Sequence, residues 1–301
     1  MSLINQILQG VLLGGYYALL AAGLSFMFGV MRIINLAHGS LAVVAAYGVF
    51  WLADRYEVNP FFGLLAAVPV MALVGWALHR FVLERSARAG ELVPVLATFG
   101  LSVVLDNTLF SIFGADTRSL APYIDTLAYD SVDFAGMTFG TLALLTFAVA
   151  VVVLGGLQLL LKFTPIGRRI RAVADDAATA QLVGINAARV NTAAAAIAMA
   201  TVAIAGVFLA MRSAVDPYAG APQLIFAFEA VMIGGLGSLW GTMAGGIALG
   251  VAQSLGASIH TQGFLIAGHV LFIVVLIGRL LLQQRPLPAL RQLLRPVRQT
   301  S

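Results

Sequence analysis

The chain has 301 residues, of which 60% are hydrophobic and only 10% charged, with a mean hydropathy of +0.97. A soluble domain carries roughly 25% charged residues, so too little polar surface is left for water and most of the chain must be solvated by lipid. The net charge of +4 does not point to nucleic acid, because the basic residues are confined to a few segments, and the absence of cysteine excludes disulfides, thiolate metal sites and cysteine nucleophiles.

Taken in chain order, long runs almost free of charge mark the membrane spans, at about 20 residues per crossing. Residues 3–31 contain no charge before Arg32, and without a basic leader they read as an uncleaved first span. Residues 33–53, 58–78, 92–111 (interrupted only by Asp106), 134–161 and 190–211 each suffice for one crossing. The last run, residues 230–278, has no formal charge and is too long for a single helix, so it must turn. The expected turning points are Gly234-Gly235-Leu236-Gly237-Ser238 and the polar stretch at 258–262. The expected architecture is therefore an all-α polytopic bundle of about eight spans, with one or two broken or re-entrant helices, forming a single membrane domain over residues 1–301.

Charge sets the orientation. Thirteen of the 17 Lys and Arg lie in three segments: Arg80, Arg85 and Arg88; Lys162, Arg168, Arg169, Arg171 and Arg189; and Arg279, Arg285, Arg291, Arg295 and Arg298. By the positive-inside rule these segments, including a basic tail at 279–301, belong to the cytoplasm. Residues 114–136 carry Asp116, Asp125, Asp130 and Asp133 against Arg118 and form the external loop. Alternation then makes residues 224–257 a broken pair hinged at 234–238, and puts Met1 outside unless residues 29–35 also break within the membrane. A weak internal echo, residues 38–48 against 236–246, is compatible with breaks at equivalent points of two halves, as in many transporters.

Soluble catalytic motifs are missing. The single lysine, Lys162, follows Leu161, so no phosphate-binding Gly-Lys-Ser/Thr loop exists and ATP is not bound by that motif. There is no His-Glu-x-x-His helix and no Gly-x-Ser-x-Gly elbow, and His38, His79, His260 and His269 lack metal-ligand spacing. No cofactor, metal or catalytic residue is expected.

Residues 164–186 are the most distinctive. Thr164 suits a helix cap, Pro165 the first helical position and Gly184 the left-handed residue beyond the end. Between them, Ile170, Val173, Ala177, Ala178 and Leu182 mark one side of a short amphipathic helix. Periodicity alone leaves two readings: a basic helix on anionic headgroups, or a knob docking into a partner's groove. In the second, Ala177, Ala178 and Ala180 allow close approach, and Asp175 and Asp176 meet basic groups.

This segment closely resembles the coupling-helix region of branched-chain amino-acid ABC transporter permeases, the H-type subunit. Three further segments are similar to that family: Ile34-Asn35-Leu36-Ala37-His38-Gly39, Gly234 to Ser238, and Thr98-Phe99-Gly100-Leu101-Ser102 followed by Asp106-Asn107. The resemblance spans nearly the whole chain. One departure stands out: Ala178 occupies the place of Glu in the general Glu-Ala-Ala-x-x-x-Gly pattern, and Asp176-Ala177-Ala178 sits two residues early.

The resemblance implies a subunit working with a second related permease or a copy of itself, two cytoplasmic ATPase subunits that bind the ATP, and a periplasmic solute-binding protein. The location it implies is a bacterial inner membrane, and the cargo is branched-chain amino acids or close relatives. ATPase coupling then falls to Pro165, Gly167, Arg168, Arg171, Ala172, Asp175, Asp176, Ala177, Ala178 and Gly184. Pathway candidates are Asn35, His38, Gly39, Thr98, Ser102, Asp106, Asn107, Glu229, Gly235 and Gly237, the ionisable ones because a charge within a span is costly. For Asp106 a cap near the outer interface is the competing role, and for Glu229 an interfacial one. A stand-alone secondary transporter or channel is the other functional class, but Asp106 and Glu229 supply few coupling carboxylates for it.

Overall fold

The computed structural model describes residues 3–134, 137–260 and 262–283. Among them, seven helices are long and apolar enough to cross a membrane. They are α1 (Leu3–Met31), α3 (Pro60–Ala77, extended through a π-helical turn at Leu78–Leu83 into α4, Glu84–Ala89), α5 (Val93–Phe113), α6 (Thr141–Phe163), α9 (Ala187–Arg212), α11 (Leu239–Ile259) and α12 (Gly263–Gln283). Two further helices, α2 (His38–Tyr56) and the shorter α10 (Gly220–Gly234), each continue from irregular chain. Seven spans among the described residues, with these two helices beside them, compare with the eight or so expected. Two short helices, α7 (Pro165–Asp175) and α8 (Ala177–Leu182), link α6 to α9, and a hairpin of β1 (Ser131–Phe134) and β2 (Met137–Gly140) lies in the loop before α6.

α1 and α9 form the centre of the bundle. Lipid tails are as apolar as leucine, so helices associate in a membrane through close packing and hydrogen bonds rather than hydrophobicity. α1 carries Gly10 and Gly14, α11 carries Gly246 and Gly250, and the two small-residue edges meet backbone to backbone. A Cβ at Gly14 would lie 2.3 Å from the Ile247 Cα, and one at Gly250 would lie 2.3 Å from the Gly10 carbonyl oxygen. Polar links lock the pair: Thr242 donates to Ser25 at 2.7 Å, and Ser254 donates to the Gln6 carbonyl at 2.7 Å.

The bundle has a basic face and an acidic face. At the basic face Arg279, near the end of α12, donates to the Ile233 carbonyl at 2.8 Å, and Gly237 packs on Gly29. The hinge at 234–238 is therefore a surface turn joining two crossing helices, not an intramembrane break. Gly235 and Gly237 adopt φ of +102° and +80°, which only glycine takes readily. At the acidic face Gln9 donates to the Thr138 carbonyl at 2.8 Å, so α1 enters from that side. Of the basic tail expected at 279–301, Arg285, Arg291, Arg295 and Arg298 lie outside the described residues.

The breaks are elsewhere. After α1 reaches the basic face, residues 32–37 run back into the bundle without helix, and α2 begins at depth: His38 Nε2 lies 2.8 Å from the carbonyl oxygen of Leu20 in mid-α1. Correspondingly, residues 213–219 descend from the acidic face, where Val215 pairs with Arg118. α10 starts only at Gly220, packed on Gly39 and Ser40. Irregular backbone is tolerated at membrane depth only where protein or a polar cavity satisfies it. Here the Leu36 amide donates to Thr98 Oγ1 at 3.0 Å, and Tyr47 donates to the Val215 carbonyl at 3.0 Å. The echo between 38–48 and 236–246 does not correspond to these two breaks, since α2 pairs with α10 and not with α11 as the second interrupted element.

Candidate functional site

Half-helices α2 and α10 meet at their first turns inside the bundle. The approach is possible only because Gly39 faces Gly220, where a Cβ would stand 1.9 Å from the Gly220 carbonyl oxygen. Around this crossing lie most of the pathway candidates. Asn35 is fully buried and its Oδ1 accepts from the Ala37 amide at 3.0 Å, forming the turn that starts α2. His38 is fully buried and donates from Nε2 to the Leu20 carbonyl, which leaves Nδ1 without a partner among the described residues. Thr98, also buried, returns its hydroxyl proton to the Pro94 carbonyl at 2.9 Å while accepting from Leu36.

α5 places Asp106 close to Ser40 at the same crossing. Asp106 Oδ1, Asn35 Nδ2 and His38 Nδ1 are buried and unpaired among the described residues. Such groups are rare in a settled core. Asn107 is exposed on the outer side of α5 and accepts from the Tyr218 hydroxyl at 3.3 Å, with the Tyr218 ring against Phe110. Thr108 and Ser111 lie on the exposed side of α5 with Asn107, whereas Ser102 is half-buried one turn from both Thr98 and Asp106; each hydroxyl is bonded back to a carbonyl of its own helix. Asp106 thus lies beside the crossing.

The remaining candidates separate. Glu229 is buried on α10 and is bonded at 2.5 Å to His269 Nδ1 of α12. Its other oxygen is unpaired among the described residues, as is Gln253 Nε2, whose amide oxygen accepts from the Tyr17 hydroxyl. This pair fastens α12 to α10 and is not part of the α2–α10 crossing. Gly235 and Gly237 belong to the basic-face turn.

Ser40, Asp216, Tyr218 and Gly220 at this crossing are not singled out by the sequence alone. The available signal was Asp216-Pro217 and Gly220-Ala221-Pro222, two helix-start patterns inside an otherwise apolar stretch. Asp216 Oδ1 accepts from the Tyr218 amide at 2.8 Å and shapes the turn before α10.

At the basic face, the coupling candidates form two helices instead of one. Thr164 caps α7 by accepting from the Gly167 amide at 3.0 Å, and Pro165 opens the helix. Gly167 packs flat on α6, where a Cβ would meet the Leu160 carbonyl oxygen at 2.1 Å, and Arg171 donates to the Leu161 carbonyl. Ile170 and Val173 are buried, as their periodicity requires; Arg168 is exposed and Ala172 half-buried.

At Asp176 the backbone becomes extended, ending α7. The Asp176 carboxylate then caps α8, accepting from the amides of Ala178 and Thr179 and from the Thr179 hydroxyl, an arrangement that holds its pKa below the ordinary carboxylate value. The kink turns Ala177, Ala178 and Leu182 outward, in contrast to the buried stripe expected, and buries Ala180. Gly184, at φ +83°, closes α8, with the Ile185 amide bonded to the Ala180 carbonyl and the Gly184 amide to the Gln181 carbonyl. The tip of this projection is apolar: Leu182 is 87% exposed and Val183 73%. Asp175 is exposed beside it.

Taken together, the molecule is a multi-pass α-helical membrane protein with two interrupted helices meeting inside the bundle, the arrangement transporters use around a solute path. The chain belongs to the family described as branched-chain amino acid transport system / permease component, whose model matches residues 6–280. It is 29% identical to the high-affinity branched-chain amino acid transport system permease protein BraD of Pseudomonas aeruginosa, over 91% of this chain and 93% of that one. It is 28% identical to LivH of Escherichia coli K12 over 91% and 92% of the two chains. A fructose import permease protein, FrcC of Rhizobium meliloti, is 30% identical over 72% of this chain and 61% of that one. No solved structure matches the chain.

Proposed function

We propose that this chain is the membrane-spanning permease subunit of an ATP-binding-cassette importer, carrying branched-chain amino acids or similarly small polar solutes across a bacterial inner membrane, with its basic face in the cytoplasm. The observation that carries this reading is the α7–α8 projection. A capped two-helix knob with Leu182 and Val183 bare at its tip suits the groove of a soluble partner, whereas a helix lying on headgroups would turn such residues into the bilayer. Two ATPase subunits are the expected partners, together with a second permease and an external solute-binding protein.

The exposed polar side of α5, continued by Tyr218 and the first turn of α10, is the surface for the second permease, with the solute passing between them. A helix N-terminus favours anionic groups and Asp106 favours a cation. The crossing therefore offers both signs of charge to an amino acid's carboxylate and ammonium. The similarity to a fructose import permease protein supports keeping the cargo class as broad as small polar solutes, with selectivity shared with the binding protein.

The test is co-purification from nanodiscs of the tagged wild type and a Leu182→Arg/Val183→Arg variant. Recovery of ATPase subunits with the wild type and their loss with the variant supports the reading. If the wild type recovers none and transports solute when reconstituted alone, a secondary transporter or channel replaces it.

A further inference from the structure

A crevice of about 720 Å³ opens at the basic end of the bundle between α3–α4 and the start of α9. One wall is a four-residue ladder, Trp76, Arg80, Glu84 and Arg88, running through the π-helical turn. The other is Arg189, Thr192 and the small residues Ala193 and Ala196. Glu84 accepts from Arg80 at 2.8 Å and from Arg88 at 2.6 Å. Three arginines and one carboxylate thus line the crevice, which keeps an excess of positive charge.

The π turn serves the same geometry. It buries His79, whose Nδ1 lies 2.8 Å from the Thr192 hydroxyl, and so anchors the ladder to α9 while the arginines stay outside. A π turn inside a helix commonly marks a functional position.

The two ends of the crevice face different solvents. Arg88 and Arg189 lie at the basic face. Trp76 sits toward the apolar end and is 44% exposed, continuing the outward row of Val70 and Leu73 that α3 turns to the hydrocarbon. An aromatic ring at this level, with basic side chains just beyond, is the chemistry of the headgroup boundary. The alanines of α9 leave a channel beside Trp76 in which an acyl chain can lie.

We propose that this crevice is a binding site for an anionic phospholipid, its phosphate held by Arg80, Arg189 and Arg88 and its acyl chain against Trp76, Ala193 and Ala196. A free phosphate would use only the arginines, whereas Trp76, Ala193 and Ala196 beside them fit an amphiphile. The inference does not depend on which solute the protein carries or on its ATPase partners.

Trp76 supplies the probe. In a Trp51→Phe/Trp240→Phe background, the protein is placed in phosphatidylcholine bilayers containing increasing fractions of either brominated phosphatidylglycerol or brominated phosphatidylcholine. The expected result is stronger quenching of Trp76 by the anionic lipid, with a preference of about fivefold for each arginine engaged. An Arg80→Gln/Arg189→Gln variant brings the two quenching curves together. Because the readout is a ratio between two lipids on one protein, a general loosening of the site moves both curves and preserves their difference. Equal quenching in the parent, or a preference unchanged in the variant, overturns the proposal. Loss of the preference on adding inorganic phosphate assigns the crevice to a free anion and overturns it equally.

Discussion

The close crossing of α2 and α10 makes one substitution unusually informative. In Gly39→Ala the new Cβ stands 1.9 Å from the Gly220 carbonyl oxygen, 2.8 Å from its carbon and 3.0 Å from the Leu224 amide nitrogen. All three obstacles are backbone, so no rotamer change relieves them. To reach ordinary contact at 3.4 Å the half-helices must part by about 1.5 Å. Overpacking normally costs about 1–3 kcal/mol, and a backbone-on-backbone clash belongs at the upper end. Against this, alanine in a helix gains about 1 kcal/mol over glycine. Gly48 on the same helix is the control, because a Cβ there meets nothing within 4 Å. Thermal unfolding of the purified protein, followed by tryptophan emission, should show Gly39→Ala lowered by about 2 kcal/mol and Gly48→Ala unchanged or raised. Transport should fall in Gly39→Ala alone. If Gly39→Ala unfolds at the wild-type temperature, the half-helices do not meet as described and the site built on them is lost.

Removing His269 by His269→Ala leaves the buried Glu229 without its bonded partner and should cost about 1–3 kcal/mol, while His269→Gln, which can still donate, should cost clearly less; equal losses in thermal unfolding would refute the pairing. Thr98→Val keeps the side chain's shape but strips the Leu36 amide of its acceptor, at about 1–3 kcal/mol; hydrogen exchange should accelerate at Leu36, and unchanged protection would show that Thr98 does not hold the break. The Asp176 cap has its own pH signature. Its depressed pKa means that the carboxylate's contribution is complete above the ordinary Asp value and disappears as pH falls through the folded value. Protease nicking of residues 177–183 should therefore increase only in acid for the wild type, and already at neutral pH for Asp176→Ala.

Much of the coupling projection was legible locally. Thr164, Pro165 and Gly184 set its ends through capping chemistry that depends only on near neighbours. The break at Asp176 was legible in principle, since Asp is a strong cap, but the run of alanines on both sides favours uninterrupted helix. The pathway candidates divided because their partners are remote: Thr98 is 62 residues from Leu36, and His269 is 40 from Glu229. The four segments that resemble the family name stretches of chain without saying which of them touch.

By itself the sequence determined that lipid is the solvent, where most of the long apolar helices fall and which face is basic, because these follow from hydropathy and charge read along one dimension. Only the tertiary structure decided which helices are central and where helices give way to irregular chain. α1 is 83% buried and α5 11%, although both are apolar enough to span. The reason is physical: a lipid-facing leucine and a protein-facing leucine meet equally apolar surroundings, so hydropathy cannot distinguish them. The distinction comes instead from glycines close enough to bring backbones together, and from hydroxyls and carbonyls that satisfy residues 32–37 and 213–219 at depth.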